Sequence, residues 1–287
     1  MKKKIILITG TNSGFGWLTA QSCAALGHKV YATMRHVTTK NADKARFLSE
    51  DSNIEVLDVE ITSSNSVVDA VASIIKKEGR IDVLVNNAGV YATGIAETFT
   101  EYDFEKVMDV NVKGSWRTIK AVLPQMRRQG EGLIINISSA AGRFSTPFMS
   151  MYNSSKFALE GLTEALHYEV RPLGVDVVMI QPGAFPTEIF GKILSGSDTG
   201  VIESYGELAK VPELIGAGVM QMFEAIKPNP QLIADAVVHL INTPAGKRPL
   251  RTVVDVATGN LVEAANKNVG EQYANFLAAF GMQGMLH

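Results

Sequence analysis

Cysteine is almost missing from this chain: Cys23 stands alone among 287 residues. That excludes an internal disulfide framework and fits a reducing, cytoplasmic compartment. Cys23 lies among apolar helical residues and reads as buried filler. Histidine is scarce as well. His28, His36, His167, His239 and His287 show no metal-ligand spacing, so no metal is expected and surface or packing roles suffice. No hydrophobic run approaches the length of a membrane span. Neither sign of charge dominates, and a net charge of −2 gives no reason to expect a nucleic-acid partner. Lys2, Lys3 and Lys4 form the one basic run and read as a solvated N-terminus. The IILIT that follows is too short for a signal-peptide core. With 46% hydrophobic and 20% charged residues, the composition suits a globular protein with a large core.

What is present alternates in type. Short apolar runs at 4–9, 29–34, 54–59, 81–87, 132–139 and 175–180 read as strands. Helical spacing separates several of them, over 15–26, 64–77, 101–128 and about 151–170, the last stopping near Pro172 and Gly174. Strands apolar on both faces with helices between them imply a parallel sheet covered on both sides. With right-handed crossovers this is an α/β, Rossmann-type doubly wound sheet. There is no repeat, low-complexity tract or linker, so residues 1–287 are expected to form one domain. Residues 188–227 break the rhythm and hold six glycines, which suggests an inserted helical lid over the substrate. The run at 251–256 restores a final strand, and a helical tail is expected after it.

Ligands of such sheets bind at the carboxyl ends of the strands. The first strand ends in TGTNSGFG, where Gly10, Gly14 and Gly16 permit close backbone approach to a pyrophosphate and the next helix offers free N–H groups. The spacing is Gly-x-x-x-Gly-x-Gly, not the general dinucleotide fingerprint. The fourth strand ends in Asn86-Asn87-Ala88-Gly89, the fifth in Ser138-Ser139, and the sixth in Pro182-Gly183 with Thr187 close behind. Each could be a plain turn former; their joint placement favours a site.

Tyr-x-x-x-Lys occurs twice, as Tyr102–Lys106 and Tyr152–Lys156. Tyr102 is flanked by Asp103 and Glu105, whose charge would raise a phenol's pKa, so that pair reads as a packed or exposed helix pair. Tyr152 and Lys156 share one helical face just after the strand ending in Ser139.

At these residues the chain resembles the short-chain dehydrogenase/reductases of the shorter, single-domain type. TGTNSGFG (9–16), NNAG (86–89), NVKG (111–114), Ser139 thirteen residues before Tyr152, YNSSK (152–156) and PGAFPT (182–187) carry the resemblance, which covers roughly residues 4–190. Within that family, VYATMR and YNSSKFALEGLTEAL are most like the hydroxysteroid and retinol dehydrogenase branch and its bacterial relatives. The resemblance implies a catalytic set of Asn111, Ser139, Tyr152 and Lys156. Tyr152 would be general acid for carbonyl reduction and base for alcohol oxidation, and Ser139 would fix the substrate oxygen. Lys156 would also bind the nicotinamide ribose, and Asn111 would hold a water linking Lys156 to solvent. Bringing a phenol from about 10 to near 7 takes roughly 4 kcal/mol, toward which Lys156 is placed to contribute as a nearby cation.

The cofactor is expected on Gly10, Ser13, Gly14, Phe15 and Gly16 at the phosphates, and on Asp58, Val59, Asn86, Ala88 and Gly89 along the next strands. Pro182, Gly183 and Thr187, with Tyr152 and Lys156, would meet the nicotinamide end. NADP is expected over NAD because the second strand ends in Met34-Arg35, with no carboxylate to repel a 2′-phosphate and a guanidinium to pair with it. The expected substrate is a small apolar carbonyl compound or its alcohol. It would be enclosed by loop 140–151, with Phe144, Phe148 and Met149, and by lid residues such as Phe190, Ile193, Leu194, Leu214, Met222 and Phe223. The family resemblance implies a homodimer or homotetramer. Two other readings stay open: a non-catalytic NADP-binding regulator of this fold, and an epimerase or dehydratase of the same superfamily.

Overall fold

The computed structural model describes residues 3–286; Lys2 and His287 lie outside the described residues. Seven parallel strands form one sheet in the order β3-β2-β1-β4-β5-β6-β7. They are β1 (Ile5–Thr9), β2 (Lys29–Met34), β3 (Ile54–Asp58), β4 (Val83–Asn86), β5 (Gly132–Ile137), β6 (Val175–Pro182) and β7 (Arg251–Val254). Strand order reverses between β1 and β4, which opens a crevice at their carboxyl ends.

Helices cover both faces. They are α1 (Gly14–Ala25), α2 (Ala42–Ser49), α3 (Ser64–Glu78), α4 (Glu101–Met108), α5 (Ser115–Gln129), α6 (Ser150–Val170), α7 (Thr199–Ser204), α8 (Val211–Ile226), α9 (Gln231–Asn242) and α10 (Gly259–Ala279). Alternation along β1 divides the core. Ile6 and Ile8 pack with Ala20 and Cys23 of α1 and with Val237 and Leu240 of α9. Ile5 and Leu7 pack on the other face with Ile74 of α3, Val122 of α5 and Leu166 of α6. Each of the Ile, Leu and Val side chains, removed from water, contributes about 1.5–3 kcal/mol. Cys23 is buried, and burial pushes its thiol up to about 12.

Four expectations need correction. The edge strands β3 and β7 are only half-buried, because an edge strand has a neighbour on one side alone. The helix expected over 101–128 is two helices joined by a π-helical turn, Asp109–Gly114. Helices α2 and α9 were not anticipated; α2 is a short helix of eight residues. The inserted stretch is also less free than its glycines suggest. Leu194 bridges Ala92, Ser197 donates its hydroxyl to Asp103 at 2.6 Å, and the Tyr205 hydroxyl donates to Glu97 at 2.6 Å. Gly196 sits so close to Thr98 that a Cβ would overlap it. The base of the insertion is therefore fastened, whereas α8 has no buried residue, its Gly216 and Gly218 face open space, and its Phe223 packs on Phe190 with ring centres 5.3 Å apart.

Candidate active site

The turn between β1 and α1 is held open by its neighbours. Gly10 has φ 70° and Gly14 φ 55°, a region that favours glycine. A Cβ on Gly10 would come within 2.7 Å of the Ala88 Cα. Asn87 donates its side-chain amide to the carbonyls of Thr9 and Gly10, each at 2.9 Å. The Thr9 hydroxyl in turn accepts from the amides of Asn87 and Ala88, each at 3.0 Å. Ser13 makes no side-chain cap and the first turn of α1 holds no acidic residue. Free N–H groups without a competing carboxylate suit an anionic group such as a pyrophosphate.

This turn forms one wall of a cavity of about 510 Å³ at the carboxyl ends of the strands. Gly10, Ser13, Gly14 and Phe15 line it, with Arg35, Val59, Ala88 and Gly89. So do Ser139, Tyr152, Lys156, Pro182, Gly183 and Thr187. Four expected residues do not. Gly16 faces Asn87 and Gly10, where a Cβ would overlap both, so it packs the turn and does not face the cavity. Asn86 points into the sheet, donating to Asn136 at 2.9 Å and accepting from Thr118 at 2.6 Å. Asp58 accepts from the amides of His36 and Val37 at 3.1 and 3.3 Å, holding His36 at φ 57°. Asn111 sits behind the wall. The residue missed beside Asn86 is Asn87, and strand alternation carried the signal, since adjacent residues point to opposite faces.

At the far end, Ser139 follows β5 and its hydroxyl accepts from the Ala141 amide at 3.1 Å. Tyr152 lies in the first turn of α6, buried, and shares a hydrogen bond with Ser139. Lys156 follows one turn later, also buried, and donates to the Ile137 carbonyl at 2.9 Å. Its Nζ lies 5.6 Å from the Tyr152 ring centre. Asn111, within the π-helical turn, donates to the Val90 carbonyl and the Ser155 hydroxyl at 3.0 Å and accepts from the Val90 amide at 2.8 Å. Its side chain is thus occupied in tying the end of β4 to α6, which leaves any contact with water to its main chain.

The electrostatics differ from the expectation. Burial pushes the Tyr152 phenol up to about 12, against a lowering by the Ser139 hydrogen bond. Burial also brings Lys156 down to about 8, opposed by the charge of Glu160. A buried lysine that donates to a main-chain carbonyl does not by itself make a buried phenol acidic.

The cofactor-side expectation also changes. Arg35 is not alone: its guanidinium pairs with Glu60 at 3.1 Å, and both line the cavity. The carboxylate said to be missing after β2 arrives from beyond β3. Tyr102, by contrast, is exposed on α4 with the Lys106 ammonium 5.0 Å from its ring centre, outside the cavity.

The description short chain dehydrogenase fits residues 4–198 of this sequence. The chain belongs to the short-chain dehydrogenase family. It is 42% identical over 207 residues to a 3-ketodihydrosphingosine reductase of Bacteroides thetaiotaomicron, covering 72% of this chain and 73% of that protein. It is 34% identical over 252 residues to human 17-beta-hydroxysteroid dehydrogenase type 1, covering 85% and 76%. Among solved structures, a short-chain dehydrogenase/reductase from Burkholderia phymatum in complex with NAD superposes with TM-score 0.74 at 25% identity, covering 94% of this chain and 95% of that one. An alcohol dehydrogenase from Thermococcus sibiricus complexed with 5-hydroxy-NADP gives TM-score 0.67 at 26% identity, covering 88% and 96%. The family is one of oxidoreductases that act on CH–OH groups, and the hydroxysteroid and retinol branch is the part of it this dehydrogenase resembles. Among the described residues of this dehydrogenase, no helix is long and apolar enough to cross a membrane.

The end of the cavity beside Tyr152 is apolar. Tyr91 packs edge-on to Tyr152 with ring centres 5.0 Å apart, and Phe190 stands 5.5 Å from Tyr91. Met149, Ile215, Val219 and Met222 complete the wall. Of the lid residues expected here, Phe190 and Met222 line the cavity. Leu194 packs behind Tyr91, while Ile193 and Leu214 are exposed. From loop 140–151, Met149 lines the wall and Phe144 is exposed. Helix phase decides which side of α8 faces inward, and it selects Ile215, Val219 and Met222 at spacings of four and three.

Proposed function

We propose that this chain is an NADP-preferring carbonyl reductase that interconverts an apolar ketone or aldehyde and its alcohol. The observation that carries the reading is the meeting of Ser139, Tyr152 and Lys156 at the apolar end of a cavity whose other end is the glycine cradle. A nicotinamide dinucleotide bound along it would exchange a hydride with the substrate carbon. Gly10, Ser13, Gly14 and Phe15 would receive its phosphates, Val59, Ala88 and Gly89 its adenosine half, and Pro182, Gly183 and Thr187 its far end. Arg35 would reach the 2′-phosphate of NADP, in competition with Glu60. Ser139 orients the substrate oxygen, and Tyr152 gives it a proton in reduction or takes one in oxidation. Lys156 places its charge beside the phenol and the ribose, and the Asn111 main chain is available to a water on the route to solvent.

The apolar wall made by Tyr91, Met149, Phe190 and Met222 favours a hydrophobic substrate, since a phosphorylated or polycarboxylate one would lack partners there. The names of the relatives, a ketodihydrosphingosine reductase and a hydroxysteroid dehydrogenase, support the same class. Oxidation of NADPH by a carbonyl panel, followed by loss of reduced-nicotinamide absorbance, tests the reading. A protein that binds NADPH without oxidising it under any substrate is a regulator, and one with no net oxidation but a retained cofactor is an epimerase or dehydratase. One domain covers the whole chain in this reading. Exposed Phe104, Trp116 and Phe157 on α4, α5 and α6 suit contact with a second copy, so a dimeric or tetrameric mass is expected by light scattering.

The free segment of the lid gives a further expected result. Limited proteolysis should cut within α8, and NADPH with a hydrophobic ketone should suppress that cut, because Ile215, Val219 and Met222 would gain a ligand to pack on. The pinned stretch 192–205 should stay resistant in both states. If α8 is cut equally with and without ligands, and short charged keto acids outpace aryl or long alkyl ketones, the lid and the apolar pocket are both wrong.

A further inference from the structure

Glu160 is a buried carboxylate one turn of α6 beyond Lys156. Helix spacing puts both on one face. Its Oε1 accepts from the Ser138 hydroxyl at 2.9 Å and from the Gln181 amide at 2.7 Å. Its Oε2 accepts from Arg143 at 3.3 Å and Arg251 at 3.5 Å. Two of these partners meet again on Asn266 of α10. Asn266 donates to the Gln181 Oε1 at 2.6 Å and accepts from the Arg143 Nε at 2.9 Å. The circuit Glu160–Gln181–Asn266–Arg143 is closed.

Three partners of Glu160 lie close in sequence to residues of the site. Ser138 precedes Ser139, Arg143 follows the turn that Ser139 caps, and Gln181 precedes Pro182-Gly183. Gly142 permits the approach, because a Cβ there would stand 2.6 Å from the Glu160 Oε1. The charged groups facing Glu160 are Arg143 from the turn after β5, Arg251 from β7 and Lys156 from its own helix. Glu164 balances Arg251 through bonds of 2.9 and 3.3 Å. A buried, fully partnered carboxylate is poor value as stabilisation alone, since apolar packing often does as well.

We propose that Glu160 is a positioning residue for the reaction: it fixes the Ser139 corner against the Tyr152–Lys156 helix, sets a negative charge one turn from the Lys156 ammonium, and through Asn266 makes α10 part of that arrangement. The inference rests on the reading of Tyr152 and Lys156 as the acid–base pair. The Glu160 carboxylate raises the affinity of Lys156 for its proton against the effect of burial.

The test measures kcat against pH, NADPH affinity and thermal midpoint for wild type, Glu160→Gln, Glu160→Asp and Asn266→Ala, with a carbonyl compound the wild type reduces. In Glu160→Gln the alkaline limb should move down by about one pH unit, the size of effect expected for one lost neighbouring charge. Its kcat at neutral pH should fall about tenfold, with NADPH affinity held. Glu160→Asp, which keeps the charge, should keep the limb in place. Asn266→Ala should lower kcat with the limb and NADPH affinity unmoved. A purely structural role would lower the thermal midpoint and leave the limb where it was, and that result in Glu160→Gln overturns the proposal. Should Glu160→Gln not fold, a wild-type kcat in Asn266→Ala overturns it and a lowered kcat with NADPH affinity held supports it. A wild type that reduces no carbonyl compound sinks the functional reading, and this inference with it; an active wild type with an unmoved limb sinks this inference alone.

Discussion

Tyr152→Phe is expected to abolish nearly all turnover while NADPH still binds. The ring remains to pack against Tyr91, 5.0 Å away, and only the proton donor is lost. General acid–base catalysis is typically worth about 10²–10⁴-fold, and the loss should fall at or beyond the upper end because Ser139 also loses its hydrogen-bond partner. Tyr102→Phe is the matched control. Its phenol is exposed on α4, outside the cavity, so its rate should stay within a few-fold of wild type, the scatter of a neutral surface change. Steady-state rates and NADPH titrations of the two variants decide the matter: equal behaviour would remove Tyr152 from the mechanism. The upward push that burial gives the phenol adds a second expectation. Reduction uses the protonated phenol and needs no prior ionisation, whereas oxidation needs a base and must first overcome that push. Oxidation should therefore speed up with rising pH more steeply than reduction slows.

Arg35→Asp should weaken NADPH binding by about a hundredfold and NADH binding by a few-fold at most. A charge-assisted hydrogen bond to phosphate is worth about 1.5–3 kcal/mol, and the substitution replaces it with a repulsion beside an existing carboxylate. Glu60→Gln should act in the opposite direction. It frees the guanidinium from a partner at 3.1 Å and removes a negative charge from the wall, so NADPH should bind several-fold tighter with NADH nearly unchanged. Glu60 is held below the usual carboxylate range: burial pushes it up, but hydrogen bonds from Thr62 and Arg35 outweigh that, so the charge is present at neutral pH. Fluorescence titration with both cofactors reads all four values. Equal losses for NADPH and NADH in Arg35→Asp would show that this guanidinium does not meet a 2′-phosphate.

The sheet was legible because the central strands are short, predominantly apolar runs, and the glycine turn because its glycines follow a strand directly. That Ser139, Tyr152 and Lys156 line one cavity was legible because their spacing matches a family pattern. What sequence could not show is mostly what depends on a neighbour distant in the chain. Glu60 reaches Arg35 only because β3 lies beside β2. Leu194, Ser197 and Tyr205 fasten the inserted stretch to residues about a hundred positions earlier. Asn87 and Asn86 differ in role because alternate residues face opposite sides of the sheet, a distinction the sequence did hold and the motif obscured. Helix α2 is short, eight residues without a side-chain cap, while α9 carried signals that went unused: Asn229 accepts from the Gln231 amide at 3.0 Å, and Pro230 and Pro244 flank it.

The π-helical turn between α4 and α5 has a consequence for how this part of the chain can vary in length. Its wider turn accommodates one more residue than an α-helix of the same rise, so α5 is phased about 100° away from where an uninterrupted helix would carry it. Removing a single residue between Asp109 and Gly114 would leave a better-formed rod. It would also rotate Ile119, Val122 and Met126 off the sheet and swing Asn111 away from the Val90 main chain. Length here is therefore set by angle: in this chain side chains along the rod can be exchanged at less cost than a residue between its two halves can be removed.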